Sequence, residues 1–267
     1  MNPELSRALA ELGSDRGQDA ESVIAEWLDC LQARGLLRAS TNAVLLGEEY
    51  HLGGAEDTRR MAEALHLTAD DRVLDLACYV GGPARHVARG YGCHVVGVDF
   101  SEDAIAVART FTRLSGLEDR VTFHCADAEA VPEPDGSFSV AWSQCSFPAD
   151  LHWLSEVRRL LAPGGRVAFT GLIRRSLASE QGLLSLEEAA ERVRGFGFRV
   201  TGVEDISELD LTYGWVPSME KLRCREQHYR TRFGEAWVQK AYAELQIDIE
   251  SWRSGREGNG RIVAVKE

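Results

Sequence analysis

No apolar run in the 267 residues approaches the roughly 18 that a membrane-crossing helix needs. The opening stretch, residues 1–11, is polar and acidic, so a secretory leader is not expected there. Basic charge is in deficit: 30 Lys and Arg stand against 42 Asp and Glu, a formal net charge of −12. That balance opposes a phosphate-backbone binder and an anionic membrane surface, so neither nucleic acid nor membrane is an expected partner. The six cysteines, Cys30, Cys78, Cys93, Cys125, Cys145 and Cys224, show no CxxC or other metal-ligand spacing. They read as reduced thiols of a cytoplasmic protein with no metal site. Internal repeats and low-complexity tracts are also missing, as is a strict GxGxxG fingerprint, which makes a dinucleotide reading weak.

What is present is a globular composition, 44% hydrophobic and 27% charged. Residues 1–45 read as helical, with the apolar positions of 21–37 near a 3.6 period. A glycine-containing loop, GEEYHLGGAED, follows at 47–57, and then a helix over 58–67 capped by Asp57 or Thr58. From residue 72 short apolar strands alternate with helices. Strands are expected at 72–78, 94–100, 120–127, 138–144 and 166–173, with helices from 83, from 101 and over 151–161. Such spacing means βαβ units and a parallel sheet covered on both faces. Ser185 with Glu188 opens a further helix, and 196–207 gives a sixth strand. The stretch 208–260 is mostly helical and looks inserted before a last strand at 261–267. The expected fold is α/β: a Rossmann-like seven-stranded sheet, mostly parallel with an antiparallel last strand. Three parts are expected: an N-terminal helical cap and covering loop (1–58), a core (59–207 and 261–267) and a helical lid (208–260).

Ligands of open parallel sheets bind beyond the carboxyl ends of the strands. Four such ends here carry informative residues. Asp75-Leu-Ala-Cys-Tyr-Val-Gly81-Gly82 ends the first strand. Asp99 ends the second, where a carboxylate can accept hydrogen bonds from two ribose hydroxyls. Asp127-Ala128 ends the third and Trp142-Ser143-Gln144 the fourth.

With these motifs the chain resembles the class I S-adenosylmethionine-dependent methyltransferases, over residues 46–207 plus the final strand. VLDLACYVGGPARHVA (73–88), VVGVDFSEDAIAVAR (95–109), VTFHCADAEAVPEPDGSFSVAWSQ (121–144) and LSEVRRLLAPGGRVAFTG (154–171) carry the likeness. EEYHLGGAEDT (48–58) resembles a loop of a small-molecule subgroup that includes glycine/sarcosine-, phosphoethanolamine-, sterol- and prenyl-diphosphate-type enzymes. The resemblance implies S-adenosylmethionine as cofactor and a small-molecule substrate, in a monomer or homodimer. It implies that Asp75, Ala77 and Gly81 border the methionine part, and that Asp99 holds the ribose with Phe100 against the adenine. Asp127 and Ala128 would meet the adenine edge, Gln144 would open the segment facing the sulfonium, and Tyr50 and His51 would cover the cofactor. The family usually has glycine where this chain has Ala77 and Tyr79. Tyr79 therefore means either a reshaped loop or a ring forming a pocket wall, where its face would attract a sulfonium.

Methyl transfer is an in-line displacement that needs alignment above all, and a base only if the nucleophile must lose a proton. His51 is the best-placed base candidate, ahead of His152 and His228. Tyr79 is the second catalytic candidate. Cys78, Cys145 and Cys224 raise the alternative of an arsenite methyltransferase, since soft thiolates suit soft metalloids. The Tyr79 departure raises another: a non-methylating enzyme of the same fold, such as one cyclising the cofactor with release of 5′-methylthioadenosine. A non-catalytic cofactor-binding protein is a third. The lid carries Tyr213, Trp215, Met219, Tyr229, Phe233, Trp237, Tyr242 and Trp252, which read as its own core or an apolar pocket wall. Arg223, Arg225, Arg230 and Arg232 read as a solvated helix face or an anion site.

Overall fold

The computed structural model describes residues 2–12, 20–145, 151–176 and 182–267. Among these, seven strands form one sheet in the order β3-β2-β1-β4-β5-β7-β6. They are β1 (Arg72–Leu76), β2 (His94–Asp99), β3 (Val121–Cys125), β4 (Phe138–Gln144), β5 (Leu161–Leu172), β6 (Phe198–Asp205) and β7 (Asn259–Lys266). β7 runs antiparallel to both neighbours, and the β1–β5 pairings are parallel. The Rossmann-like arrangement and the antiparallel last strand are those the sequence predicts.

Alternation along each strand sends successive side chains to opposite layers. Val73, Val95 and Val140 pack under α4 (Gly54–Ala64), α5 (Gly82–Tyr91) and α6 (Glu102–Leu114). Leu74, Leu76, Val96 and Val98 pack on the other side with α7 (Leu154–Leu160) and α8 (Leu186–Gly195). Caps fix the helix entries as their residue types dictate. The Ser101 hydroxyl accepts from the Ala104 N–H, and Ser185 with Glu188 forms a full capping box.

The N-terminal region holds α1 (Pro3–Leu12), α2 (Ala20–Ala33) and α3 (Thr41–Leu46). α2 stops short of the predicted Leu37 because Gly35 turns left-handed, at φ +69°. α4 begins at Gly54, four residues before the expected start at Thr58. Gly53, at φ +81°, makes the turn into it. Asp57 and Thr58 are therefore not caps but buried residues inside the helix. The expected helix over 151–161 is shorter, at Leu154–Leu160, and β5 starts at Leu161 because that residue already pairs with Phe138.

The inserted stretch folds as α9 (Ser207–Asp210), a π-turn (Leu211–Trp215), α10 (Val216–Cys224), α11 (Glu226–Phe233) and α12 (Glu235–Arg253). Its core includes Leu222, Tyr229, Val238 and Leu245, joined by Val44, Leu45 and Leu52 from the N-terminal region. Polar ties repeat the connection: Trp237 Nε1 donates to the Ala39 carbonyl at 3.2 Å, and Thr41 Oγ1 to Glu244 at 2.5 Å. The N-terminal region and the inserted stretch thus share one hydrophobic core beside the carboxyl edge of the sheet.

Candidate functional site

A cavity of about 1100 Å³ opens at that edge. It is large enough for a nucleoside-sized ligand with a second small molecule beside it. Its wall includes Tyr50, His51, Ala77, Tyr79, Asp99 and Phe100 from the motifs singled out above, with Trp215, Trp252 and Asn259 from the lid and last strand.

The first strand-to-helix turn shapes one side. Ala77 and Tyr79 both take left-handed backbone, at φ +57° and +49°, where glycine sits without penalty and a side chain costs about 1–2 kcal/mol. Tyr79 lines the cavity; its ring packs against Tyr50, centroids 5.1 Å apart, and against the core formed with α1, α2 and α6. Gly82 carries the close approach of the covering loop, since a Cβ there would lie 2.3 Å from the Glu48 carbonyl oxygen. Arg85 on α5 pairs with the Glu48 carboxylate and donates to the Val80 carbonyl at 2.6 Å, pinning loop to turn.

Asp99 closes β2. Its Oδ2 accepts from the Tyr79 N–H at 3.0 Å and its Oδ1 from the Ser101 N–H at 2.9 Å. Burial raises its pKa against these two hydrogen bonds. Both donors leave further lone pairs on an oriented carboxylate, the arrangement a ribose diol requires. Asp75 is buried within β1 and does not line the cavity. Its Oδ2 has no hydrogen-bond partner among the described residues, and burial pushes its carboxyl up to about 7.

His51 is buried and tied on both sides. Its Nδ1 lies 3.0 Å from the Leu52 carbonyl, which can only accept, so Nδ1 carries a hydrogen. Its Nε2 lies 3.2 Å from Glu49 Oε2 and 3.0 Å from Thr58 Oγ1. Burial pulls the ring's pKa down, but the Glu49 hydrogen bond and the charges of Glu49 and Asp57 outweigh it, and the net shift is upward. Burial opposes ionisation of Glu49 as well, yet its bonds to His51 and His86 hold it down to about 2. The surroundings favour an imidazolium held in place. Gln144, at the end of β4, donates from Nε2 to Asp57 Oδ2 at 2.9 Å, and Asp57 in turn pairs with Arg261 of β7.

The other expected residues sit apart from the cavity wall. Gly81 is the left-handed residue before α5, Gln144 belongs to the polar network, and neither lines the cavity. Asp127 is exposed, with Oδ1 accepting from the Glu129 N–H, and Ala128 packs on the sheet core. His152 packs edge-on to Phe196, and His228 bonds Asp29 at 3.0 Å; neither reaches the cavity. Cys78 is buried and Cys224 lies on the lid surface, while Cys145 is on the cavity wall. Among the described residues no three ligating side chains gather as a metal site, so the thiol-cluster alternative has no assembled donor set. Arg225 and Arg230 pair with Asp29 and with Glu226 and Glu235, away from the cavity.

Sequence reasoning missed Asn259 and Arg261. The Asn259 amide nitrogen donates to Asp210 Oδ2 at 2.7 Å and to Cys145 Sγ at 3.4 Å. Burial and the Asp57 charge push the Asp210 carboxyl up to about 7. The signal available was a pair of polar side chains at the start of a closing strand whose middle is apolar. Among the described residues no helix is long and apolar enough to cross a membrane.

Comparison with known proteins agrees with this architecture. Residues 73–165 match the methyltransferase-domain family. The glycine/sarcosine/dimethylglycine N-methyltransferase of Actinopolyspora halophila is 31% identical over 236 residues, 81% of this chain and 40% of that protein. The 27-O-demethylrifamycin SV methyltransferase of Amycolatopsis mediterranei is 35% identical over 179 residues, 61% of this chain and 64% of that protein. The chain thus spans less than two thirds of the length of either relative. Among solved structures, the [4+2]-cyclase SpnF superposes with a TM-score of 0.65 at 27% identity, covering 79% of this chain and 81% of that one. The matched segment runs from β1 past the turn after it and the acid ending β2, and residues 73–165 are a methyltransferase domain similar to those of these relatives.

Proposed function

We propose that the protein transfers a methyl group from S-adenosylmethionine to a small metabolite bound under the lid. One observation carries this reading: Asp99, inside the matched methyltransferase segment, is held by two backbone N–H groups on the wall of a cavity with room for two ligands. The residues present fit the cofactor. Asp99 offers acceptors for a ribose diol, Phe100 an exposed ring at the rim for a base, and Tyr50 and Tyr79 aromatic surface for a sulfonium. Asp75, Gly81, Asp127, Ala128 and Gln144, which do not line the cavity, belong to the same proposal as residues of the strand ends and turns behind it. S-adenosylmethionine, when bound, supplies an activated methyl group.

The protein's own task is then alignment and exclusion of water. The Arg85–Glu48 pair and the His51 network hold the covering loop over the turn after β1. His51 enters as a positioning residue, because a ring flanked by two acceptors retains its proton. The lid closes the acceptor side with Trp215 and Trp252. The six free cysteines suit a reducing, cytoplasmic setting.

The test is incubation of the full chain with methyl-labelled S-adenosylmethionine and a panel of small amines, alcohols and phenols, read by mass spectrometry. Labelled product with stoichiometric S-adenosylhomocysteine is the expected result. Enzyme-dependent release of 5′-methylthioadenosine, or turnover of an acceptor without label, would replace methyl transfer with another chemistry on this fold.

A further inference from the structure

Two carboxylates stand together on the cavity wall, whose lining also holds Arg38 and His51. Asp248 on α12 and Glu257, in the turn leading to β7, both line it. Neither side chain has a hydrogen-bond or ion-pair partner among the described residues, although arginine pairs are frequent elsewhere on the surface. Asp248 is half-buried. Burial first, and then the charges of Glu257 and Glu244, push its carboxyl up to about 6. A carboxylate crowded by two others and by apolar surface is an unmet demand for a cation.

Three further groups on the same wall point the same way. Trp252 lies one helical turn after Asp248, so the two share a face of α12. Its indole meets Trp215 edge to face, centroids 5.3 Å apart, and both rings line the cavity. Asn259, 1% exposed, lies on this wall too. Its amide nitrogen is committed to Asp210 and Cys145, and its Oδ1 is buried with no partner among the described residues. The wall therefore offers two carboxylates and aromatic surface, and Phe169, Ile173, Leu184 and Leu186 add apolar lining.

We propose that the methyl acceptor is a small, largely apolar metabolite carrying a protonated amine, and that Asp248 and Glu257 are its specificity-determining anchors beside Trp215 and Trp252. The inference rests on the methyl-transfer reading for the word acceptor; the cation preference itself does not depend on it. A substrate whose handle is a carboxylate or phosphate meets like charge at this wall and is disfavoured.

Three probes of matched shape test it by calorimetric titration into the full chain, with and without S-adenosylhomocysteine: 2-phenylethylamine, 2-phenylethanol and 3-phenylpropionate. The amine is expected to bind about tenfold tighter than the alcohol, roughly 1.4 kcal/mol, and the acid weakest. Rising sodium chloride should erode the amine's advantage alone. Asp248→Asn with Glu257→Gln should bring amine and alcohol together while leaving the alcohol's affinity and the thermal melt in place. Equal binding of amine and alcohol to the wild-type chain would overturn the proposal, as would a preference that survives the double variant or no binding of any probe. Loss of S-adenosylhomocysteine binding with an intact amine preference would instead count against the methyl-transfer reading.

Discussion

Asp57 of α4 and Arg261 of β7, 204 positions apart in the chain, form an ion pair with side chains only 1% and 4% exposed. Arg261 also donates to Glu204 of β6 at 2.9 Å, and Asp57 also accepts from Gln144 of β4. One carboxylate thus joins the helix after the covering loop, a central strand end and the last strand. Removing one member of a buried pair leaves the other charge unpaired, which costs about 3–5 kcal/mol. Asp57→Ala should lower stability by that order, and denaturant unfolding checks it. A change within experimental error would mean that Arg261 finds another partner.

Gly97 in the middle of β2 has no room for a side chain. A Cβ there would lie 2.6 Å from the Phe123 ring and 2.8 Å from Cys78 Sγ. Gly97→Ala is expected to destabilise by about 1–3 kcal/mol through overpacking. Since β2 ends in Asp99, the same change should also weaken cofactor binding. Melting temperature and nucleoside affinity are the two readouts, and a shift in neither would contradict the close packing at this strand.

Asp75 and Asp210 give the stability a sign with pH. Burial holds both carboxyls up to about 7 from an ordinary 3.8. The folded state therefore keeps protons that the unfolded chain releases. The stability linked to them is fully present below the unfolded value and is lost as pH rises toward 7. Asp75→Asn removes one such group, so its stability relative to wild type should increase across that window. Parallel thermal melts of both proteins over the range check this, and a constant difference would show that Asp75 does not titrate there.

His51 is expected to stay protonated above its ordinary value of 6.5, because Glu49 and the Leu52 carbonyl both accept from it. In Glu49→Gln the charge is gone and the ring's midpoint should fall. Ring-proton NMR across pH reads both midpoints. An unchanged midpoint would show that the Glu49 contact does not hold the imidazolium.

Much of the fold was legible because the core strands are runs of Val, Ile and Leu whose neighbours are local turns and caps. Ser101, Ser185 with Glu188, and the Gly81-Gly82 turn do what short-range chemistry predicts. Asp57 and Thr58 were misread as caps because Gly53, in left-handed backbone, starts the helix earlier. The partners of Asp57 lie 87 and 204 positions away at Gln144 and Arg261, which no local pattern reveals, while Thr58 bonds within the covering loop to His51 and Glu49. Asn259 and Asp248 escaped for the same reason, since a closing strand and a lid helix gain meaning only when they face one cavity. Tyr79 was legible as a departure, but its left-handed backbone was not.

The central claim is that the crevice at Tyr79 and Asp99 binds S-adenosylmethionine. Calorimetric titration of the cofactor into wild type and Asp99→Ala tests it most directly. The account predicts binding to the wild-type chain and a loss in the variant of about 1–3 kcal/mol, a roughly 5- to 150-fold rise in Kd. Equal affinity in both proteins, or no binding to wild type, would contradict it.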